Sequence, residues 1–114
     1  MGVGAPIERG IRQTTVTIAA SGTNSSSFEV SLFAWGVFQL PSAISGTEFT
    51  VEFSIDGSTF YTVPPDSIGA NPITGAVASR TYLLPLATFA ARYARIVATT
   101  SQAAARTITL FLKT

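Results

Sequence analysis

Cysteine and histidine are both missing from this chain of 114 residues. Without cysteine there can be no disulfide framework, no thiolate metal centre and no thiol nucleophile. Without histidine the commonest general base and the commonest metal ligand are gone as well. Charge is scarce. Seven basic side chains (Arg9, Arg12, Arg80, Arg92, Arg95, Arg106, Lys113) stand against six acidic ones, and charged residues make up 11% of the chain, where an average soluble domain carries about 25%. Long apolar runs are absent too. The longest uncharged stretch, Val30 to Thr47, is interrupted by Gly36, Pro41 and Gly46, so no membrane-spanning helix and no membrane partner are expected. The opening MGVGAPIERGIR lacks the basic and apolar regions of a secretory signal. Pro6 occupies the position where a myristoylation motif needs Ser or Thr.

Small hydroxyl side chains take the place of charge: twelve Ser and sixteen Thr, a quarter of the residues. Hydrophobic residues are 46% of the chain, including eight Phe, three Tyr and one Trp. A surface that is polar but nearly uncharged lacks the self-repulsion that keeps monomers apart. Together with the high apolar content, it points to a subunit whose faces pack against other protein. The length suits one domain with a core of its own.

Residues 1–13 read as an extended arm. Gly2, Gly4, Pro6 and Gly10 interrupt any regular pattern and should keep this segment out of a sheet. Ile7, Arg9, Ile11 and Arg12 are its candidate partner contacts, because an arm that folds onto a neighbour gains apolar burial and forked arginine hydrogen bonds. The domain proper then spans 14–114. Thr14 to Ala19 alternates as a strand, and 21–27 (SGTNSSS) is a Ser-rich loop; its Asn24-Ser25-Ser26 matches a glycosylation acceptor in form only. Phe28, Val30 and Leu32 share one face of a strand. Gly36 allows a bend or bulge before 37–40, where Pro41 stops the run.

The clearest segment is Thr47 to Ile55, with Phe49, Val51, Phe53 and Ile55 on a core face and Glu48, Thr50, Glu52 and Ser54 on a polar one. Asp56-Gly57 then predicts a two-residue hairpin that places Phe53 opposite Phe60 and Glu52 opposite Tyr61. Residues 66–78 form a loop with room for a short edge strand. Leu86, Phe89, Ala90, Tyr93, Ala94 and Val97 fit a helical template, but the β-branched and aromatic content beyond Tyr93 resolves the segment into a helical turn at 86–90 and a strand at 92–99. A last strand covers 107–113. About eight short antiparallel strands without a long helix predict an all-β, single-domain, jelly-roll-like β-sandwich.

Catalytic templates fail one after another. Ser–His–Asp and Cys–His arrangements lack their base, and no G-x-S-x-G, P-loop or G-x-G-x-x-G occurs. Glu48 and Glu52, on one strand, lie about 13 Å apart at about 3.3 Å per residue, beyond the roughly 5–9.5 Å of glycosidase pairs. Asp56 and Asp66 stand alone where a calcium loop would need company. The expectation is a non-enzyme without catalytic, metal or cofactor-binding residues. Arg92-Tyr93-Ala94-Arg95 mixes charge with an aromatic ring, but in a strand the two arginines face opposite sides and no basic stripe exists, so no nucleic-acid partner is expected. Trp35 and Tyr61 could stack on a sugar; for Trp35, packing in the core or at an interface is the better reading.

Three runs carry a family resemblance: Phe28-Glu29-Val30-Ser31-Leu32, Gly36-Val37-Phe38-Gln39-Leu40-Pro41, and Gly46 through Phe60. Leu84-Pro85, Phe89-Ala90, Arg92-Tyr93-Ala94-Arg95-Ile96 and Arg106-Thr107-Ile108-Thr109-Leu110 continue it. Over about residues 26–113 this order resembles the small β-sandwich virion proteins of tailed bacteriophages. The resemblance implies a head decoration (cement) protein, a structural virion component that binds the outer capsid surface and stabilises the head. Its implied partners are the major capsid protein and further copies of itself, as a dimer or trimer. Its implied place is the capsid exterior of a virion assembled in the host cytoplasm. The S-x-D-G-x-x-F hairpin (Ser54 to Phe60) and the R-Y-x-R strand also look like discoidin-type carbohydrate-binding jelly rolls, which makes a carbohydrate-binding module of a phage tail or fibre the alternative.

Overall fold

Alternation of apolar and hydroxyl residues over eight short segments builds two antiparallel four-stranded sheets. The computed structural model describes residues 11–67 and 69–114. The strands are β1 (Ile11–Ile18), β2 (Phe28–Glu29), β3 (Trp35–Gln39), β4 (Phe49–Ser54), β5 (Tyr61–Thr62), β6 (Thr81–Leu83), β7 (Tyr93–Ala98) and β8 (Arg106–Lys113), with one 3-10 turn at Leu86–Ala90. Sheet I has the order β1-β8-β3-β6 and sheet II the order β2-β7-β4-β5. Every connection except β4 to β5 carries the chain from one sheet to the other, which is the double-sheet jelly roll anticipated from the sequence. The helical turn and the strand after it fall where the composition placed them.

The core lies between the sheets. Val16 and Ile18 of β1, Phe38 of β3 and Ile108, Leu110 and Leu112 of β8 face Phe28 of β2, Phe49 and Val51 of β4, and Ala94, Ile96 and Ala98 of β7, all buried. Small alanines on β7 stand beside large side chains on β4: Phe49 pairs with Ala98 and Phe53 with Ala94. That alternation of sizes lets the two layers interdigitate. Gly36 sits inside β3 without a bulge. A Cβ there would lie 2.7 Å from Leu112 Cδ2 and 2.8 Å from the Phe111 carbonyl oxygen, so the missing side chain is what lets β3 approach β8.

Two buried amides tie loops to this frame. Asn71 accepts from the Val51 N–H through Oδ1 at 2.9 Å and donates through Nδ2 to the carbonyls of Val51 (2.9 Å) and Val63 (2.6 Å). Its side chain takes the place of a strand residue on the free flank of β4. Gln102 clamps the loop before β8 to the 42–46 loop by bonding both the N–H and the carbonyl of Ser45 at 2.9 Å. Neither role has a local signature in the sequence.

Several expectations are corrected. Ile11, Arg12 and Gln13 do not belong to an arm: they pair with Lys113, Leu112 and Phe111 as the first residues of β1. Glycine and proline interrupt only the residues before Ile11, and from there β8 offers a full ladder of partners. The Asp56-Gly57 turn is not a two-residue hairpin. Gly57 has a positive φ of 81° but Asp56 does not, so the paired positive angles of that turn type are not made. Instead Asp56 Oδ1 accepts from the N–H groups of Ser58 (2.8 Å) and Thr59 (2.9 Å), which lengthens the loop to residues 55–60. Register moves by one, pairing Phe53 with Tyr61 and Glu52 with Thr62. A one-residue slip exchanges the faces, so Phe60 leaves the core side and lies under the Arg95 guanidinium, 4.1 Å from its ring centroid. Phe53 is therefore only half-buried, and Ile55 is 83% exposed. Leu32 is 69% exposed, because the chain turns after Val30. Strand β6 follows a loop and was not anticipated.

This packing ranks the aromatics. Phe49→Ala should lower unfolding free energy by about 3–5 kcal/mol, as for other fully buried phenylalanines, while Phe53→Ala should lower it by no more than about 2 kcal/mol, in proportion to its partial burial. Equilibrium denaturation of both variants checks the order.

Candidate interaction surface

Strand parity decides what each sheet shows to the outside. In β1 and β8 the pairing is continuous from Ile11–Lys113 to Ile18–Arg106. The buried set on β8 is Ile108, Leu110 and Leu112, so Thr107, Thr109, Phe111 and Lys113 face outward. Across the ladders, Trp35 and Ile11 flank Lys113, while Val37 and Gln13 flank Phe111. Leu83 lies next to Val37, and Thr81 next to Gln39.

The outer face of sheet I thus carries Ile11, Trp35, Val37, Phe111 and Leu83 among threonines and glutamines. Lys113 is the one charged side chain among these outward strand residues, and its ammonium sits 5.0 Å from the Trp35 ring centroid. Ile11 is 66% and Leu83 41% exposed, while Trp35, Val37 and Phe111 are half-buried. The stripe is contiguous, apolar and bordered by hydroxyl groups, a composition that favours burial against another protein surface.

Sheet II presents a different face. Glu29, Thr50, Glu52, Thr62, Tyr93, Arg95 and Val97 point outward there, by pairing with their ladder neighbours. Arg95 donates from Nε and Nη2 to Glu52 Oε1, each at 2.8 Å. The Arg92 guanidinium stands 5.2 Å from the Tyr93 ring centroid. Most of this face is occupied by its own charge pairing and ring contacts.

The candidate contacts separate accordingly. Ile7 and Arg9 lie outside the described residues. Ile11 belongs to the apolar stripe on sheet I. Arg12, one residue on, points to the opposite side and lines a cleft of about 250 Å³ between the edges of β1 and β2, together with Thr14, Phe28 and Glu29. The stripe itself was not visible in the sequence, because its members come from four strands and meet only through register. The available signal was Trp35 and Val37 alternating with the buried Phe38, and Phe111 standing among the outward threonines of β8, apolar residues on the side of each strand that faces away from the core.

Hydrogen-bonding groups at the β4–β5 end serve the fold. Beside that loop is a hollow of about 230 Å³ lined by Phe53, Ser54, Ile55, Tyr61, Ala90 and Ala91. Tyr61 is exposed there, but Ser54 Oγ is already engaged with Asp56 and Gly57. A sugar site needs convergent polar groups around its aromatic platform, and this lining supplies almost none. The carboxyl of Asp56 is held below its ordinary value of 3.8 by the N–H groups of Thr59 and Ser58 and by the Ser54 hydroxyl. Among the described residues, no three acidic side chains gather where a metal ion could be held. No helix among them is long and apolar enough to cross a membrane.

No protein-family model matches the chain, and no curated protein matches it. Among solved structures, the fold is similar to that of the SPBc2 prophage-derived protein YomS, with a TM-score of 0.60 over 91% of this chain and 95% of that one, at 11% sequence identity. At that identity the likeness is one of fold.

Asp56 yields a pH prediction. Its folded pKa is depressed, so its contribution to stability is complete above 3.8 and fades as pH falls through the lower folded value. Asp56→Ala should melt below the wild type near neutrality. The two melting temperatures should converge in acid, as checked by calorimetry across the range.

Proposed function

We propose that this protein is a non-enzymatic structural subunit of a tailed-bacteriophage virion, seated on the outer capsid surface by the outer face of sheet I and stabilising the head. The observation that carries the reading is the stripe Ile11, Trp35, Val37, Phe111 and Leu83, with one charge among the outward residues of four strands. A contiguous apolar sheet face of this kind is costly in water and gains free energy when another surface covers it. The prophage origin of YomS, whose fold is similar, supports a phage setting.

Cryo-electron microscopy of purified particles tests the location. Density for the jelly roll over capsid subunit junctions is the expected result, and density confined to a tail or fibre would move the assignment to the carbohydrate-binding alternative. Leu83→Glu tests the surface. Leu83 is more than half covered, so the variant should keep its fold at a cost of no more than about 2 kcal/mol, and it should weaken attachment to capsids lacking the protein at least about tenfold. Undiminished attachment of a folded Leu83→Glu protein would remove the sheet I face from the reading.

A further inference from the structure

Among the described residues four sheet edges end this sandwich, and three of them are short or covered. β2 and β5 have two residues each and β6 has three. Beyond β5, the flank of β4 is closed in sequence by the Asn71 side chain at Val51, by Ile73 at Phe49 and by the Ala76 N–H at the Thr47 carbonyl. Short or covered edges are how native sheets avoid pairing with other chains.

β1 is the exception. It is eight residues long, with no proline and no bulge, and Arg12 is its one charge. The direction of its free groups follows from one end. The Thr17 N–H donates to Ser26 Oγ at 3.2 Å, and the Thr17 carbonyl accepts from the Ser26 N–H at 3.0 Å. The Thr17 backbone therefore points away from β8. Pairing with β8 is unbroken, so the backbone groups of Thr15, Gln13 and Ile11 point the same way. Nothing among the described residues pairs with these three. Ser26 closes the edge at Thr17, so the open stretch runs from Ile11 to Thr15.

We propose that this edge is the homodimer contact: β1 pairs antiparallel with β1 of a second copy about a two-fold axis at Gln13. The proposal deepens the reading of a structural virion subunit, and rests on it, by giving that subunit a contact with its own copy. The open stretch is symmetric about its middle residue. In this register Gln13 meets the partner's Gln13, and Ile11 meets the partner's Thr15, so every free N–H and C=O of the three residues finds a partner. Shifting the register by two leaves one of the three residues without a partner in the stretch. The pairing is electrically neutral along the outer face. Arg12 points to the inner side, opposite the partner's Thr14, so no like charges meet directly. The two copies of sheet I, four strands each, become one continuous sheet. The Phe111–Val37–Leu83 rows of the two copies then lie on one face, on either side of the Gln13 pair, which doubles the face available to a capsid.

Sedimentation of the full chain over a concentration series tests this. The wild type should dimerise. Gln13→Pro removes an N–H that faces away from β8, a position that edge strands tolerate, and should raise the dimer Kd at least about tenfold. Gln13→Lys and Gln13→Glu put like charges across the axis. Each should weaken the homodimer at low ionic strength, and mixing the two should restore dimers as heterodimers. This pair keeps the test sharp should the proline variant fail to fold. Removing residues 1–10 should leave the dimer intact. A wild type that stays monomeric overturns the proposal, as does a dimer indifferent to all three Gln13 variants or one lost only on removing residues 1–10. A monomer that still decorates capsids would overturn the edge contact alone. A Gln13-dependent dimer absent from virions would overturn the virion reading alone.

Discussion

Everything in sheet I depends on β8 lying between β1 and β3 in an unbroken register. Ile108, Leu110 and Leu112 are fully buried, and their parity fixes that of both neighbours: Val16 and Ile18 point in with them, as does Phe38. The same parity turns Phe111 outward between Gln13 and Val37, and Lys113 outward between Ile11 and Trp35. A slip of one residue would exchange the two sets and expose the core strand by strand. Gly36 reinforces the register, since only a residue without Cβ fits against Leu112 and the Phe111 carbonyl. The β1–β8 ladder joins residues 88 to 102 positions apart, so the strand that defines the sheet is also the one whose closure carries the largest entropic cost.

Charge is distributed unevenly between the two faces. Sheet II gathers Glu29, Glu52 and Arg95 outward, with Arg95 held between Glu52 and the Phe60 ring. The Arg95–Glu52 pair is half-buried and spends its charge within the face. Sheet I leaves threonine, glutamine and apolar side chains around one lysine. The two faces of the sandwich therefore differ in charge, and the proposed capsid-facing role of sheet I rests on that asymmetry.

The polar side chains with the most distinctive geometry all hold backbone. Asn71 substitutes for a strand, Gln102 joins two loops, Asp56 organises the β4–β5 turn, and Ser25 Oγ accepts from the Ile96 N–H at 2.9 Å. In a chain with so few charges, the buried closures fall to the neutral Asn71, Gln102 and Ser25, which satisfy backbone groups without the desolvation penalty of an ion, while the carboxylate of Asp56 does the same work at the surface.

The sequence by itself determined the architecture. Alternation over Thr47–Ser54 and, less strictly, over Thr107–Lys113, breakers at Gly36 and Pro41, and the loss of helical character after Tyr93 are local signals, and local sterics and burial act on them directly. Absence of cysteine and histidine likewise limited the chemistry at once. Only the tertiary structure decided the rest. The hairpin register turned on whether Asp56 adopts a positive φ or instead caps Ser58 and Thr59, a competition between backbone strain and a side-chain hydrogen bond that the dipeptide Asp-Gly does not resolve. Ile11 to Gln13 became strand because β8, far along the chain, offered them a ladder. The apolar stripe and the open flank of β1 exist only once four separated segments lie side by side, since a surface shared between strands is a property of register and not of any one segment.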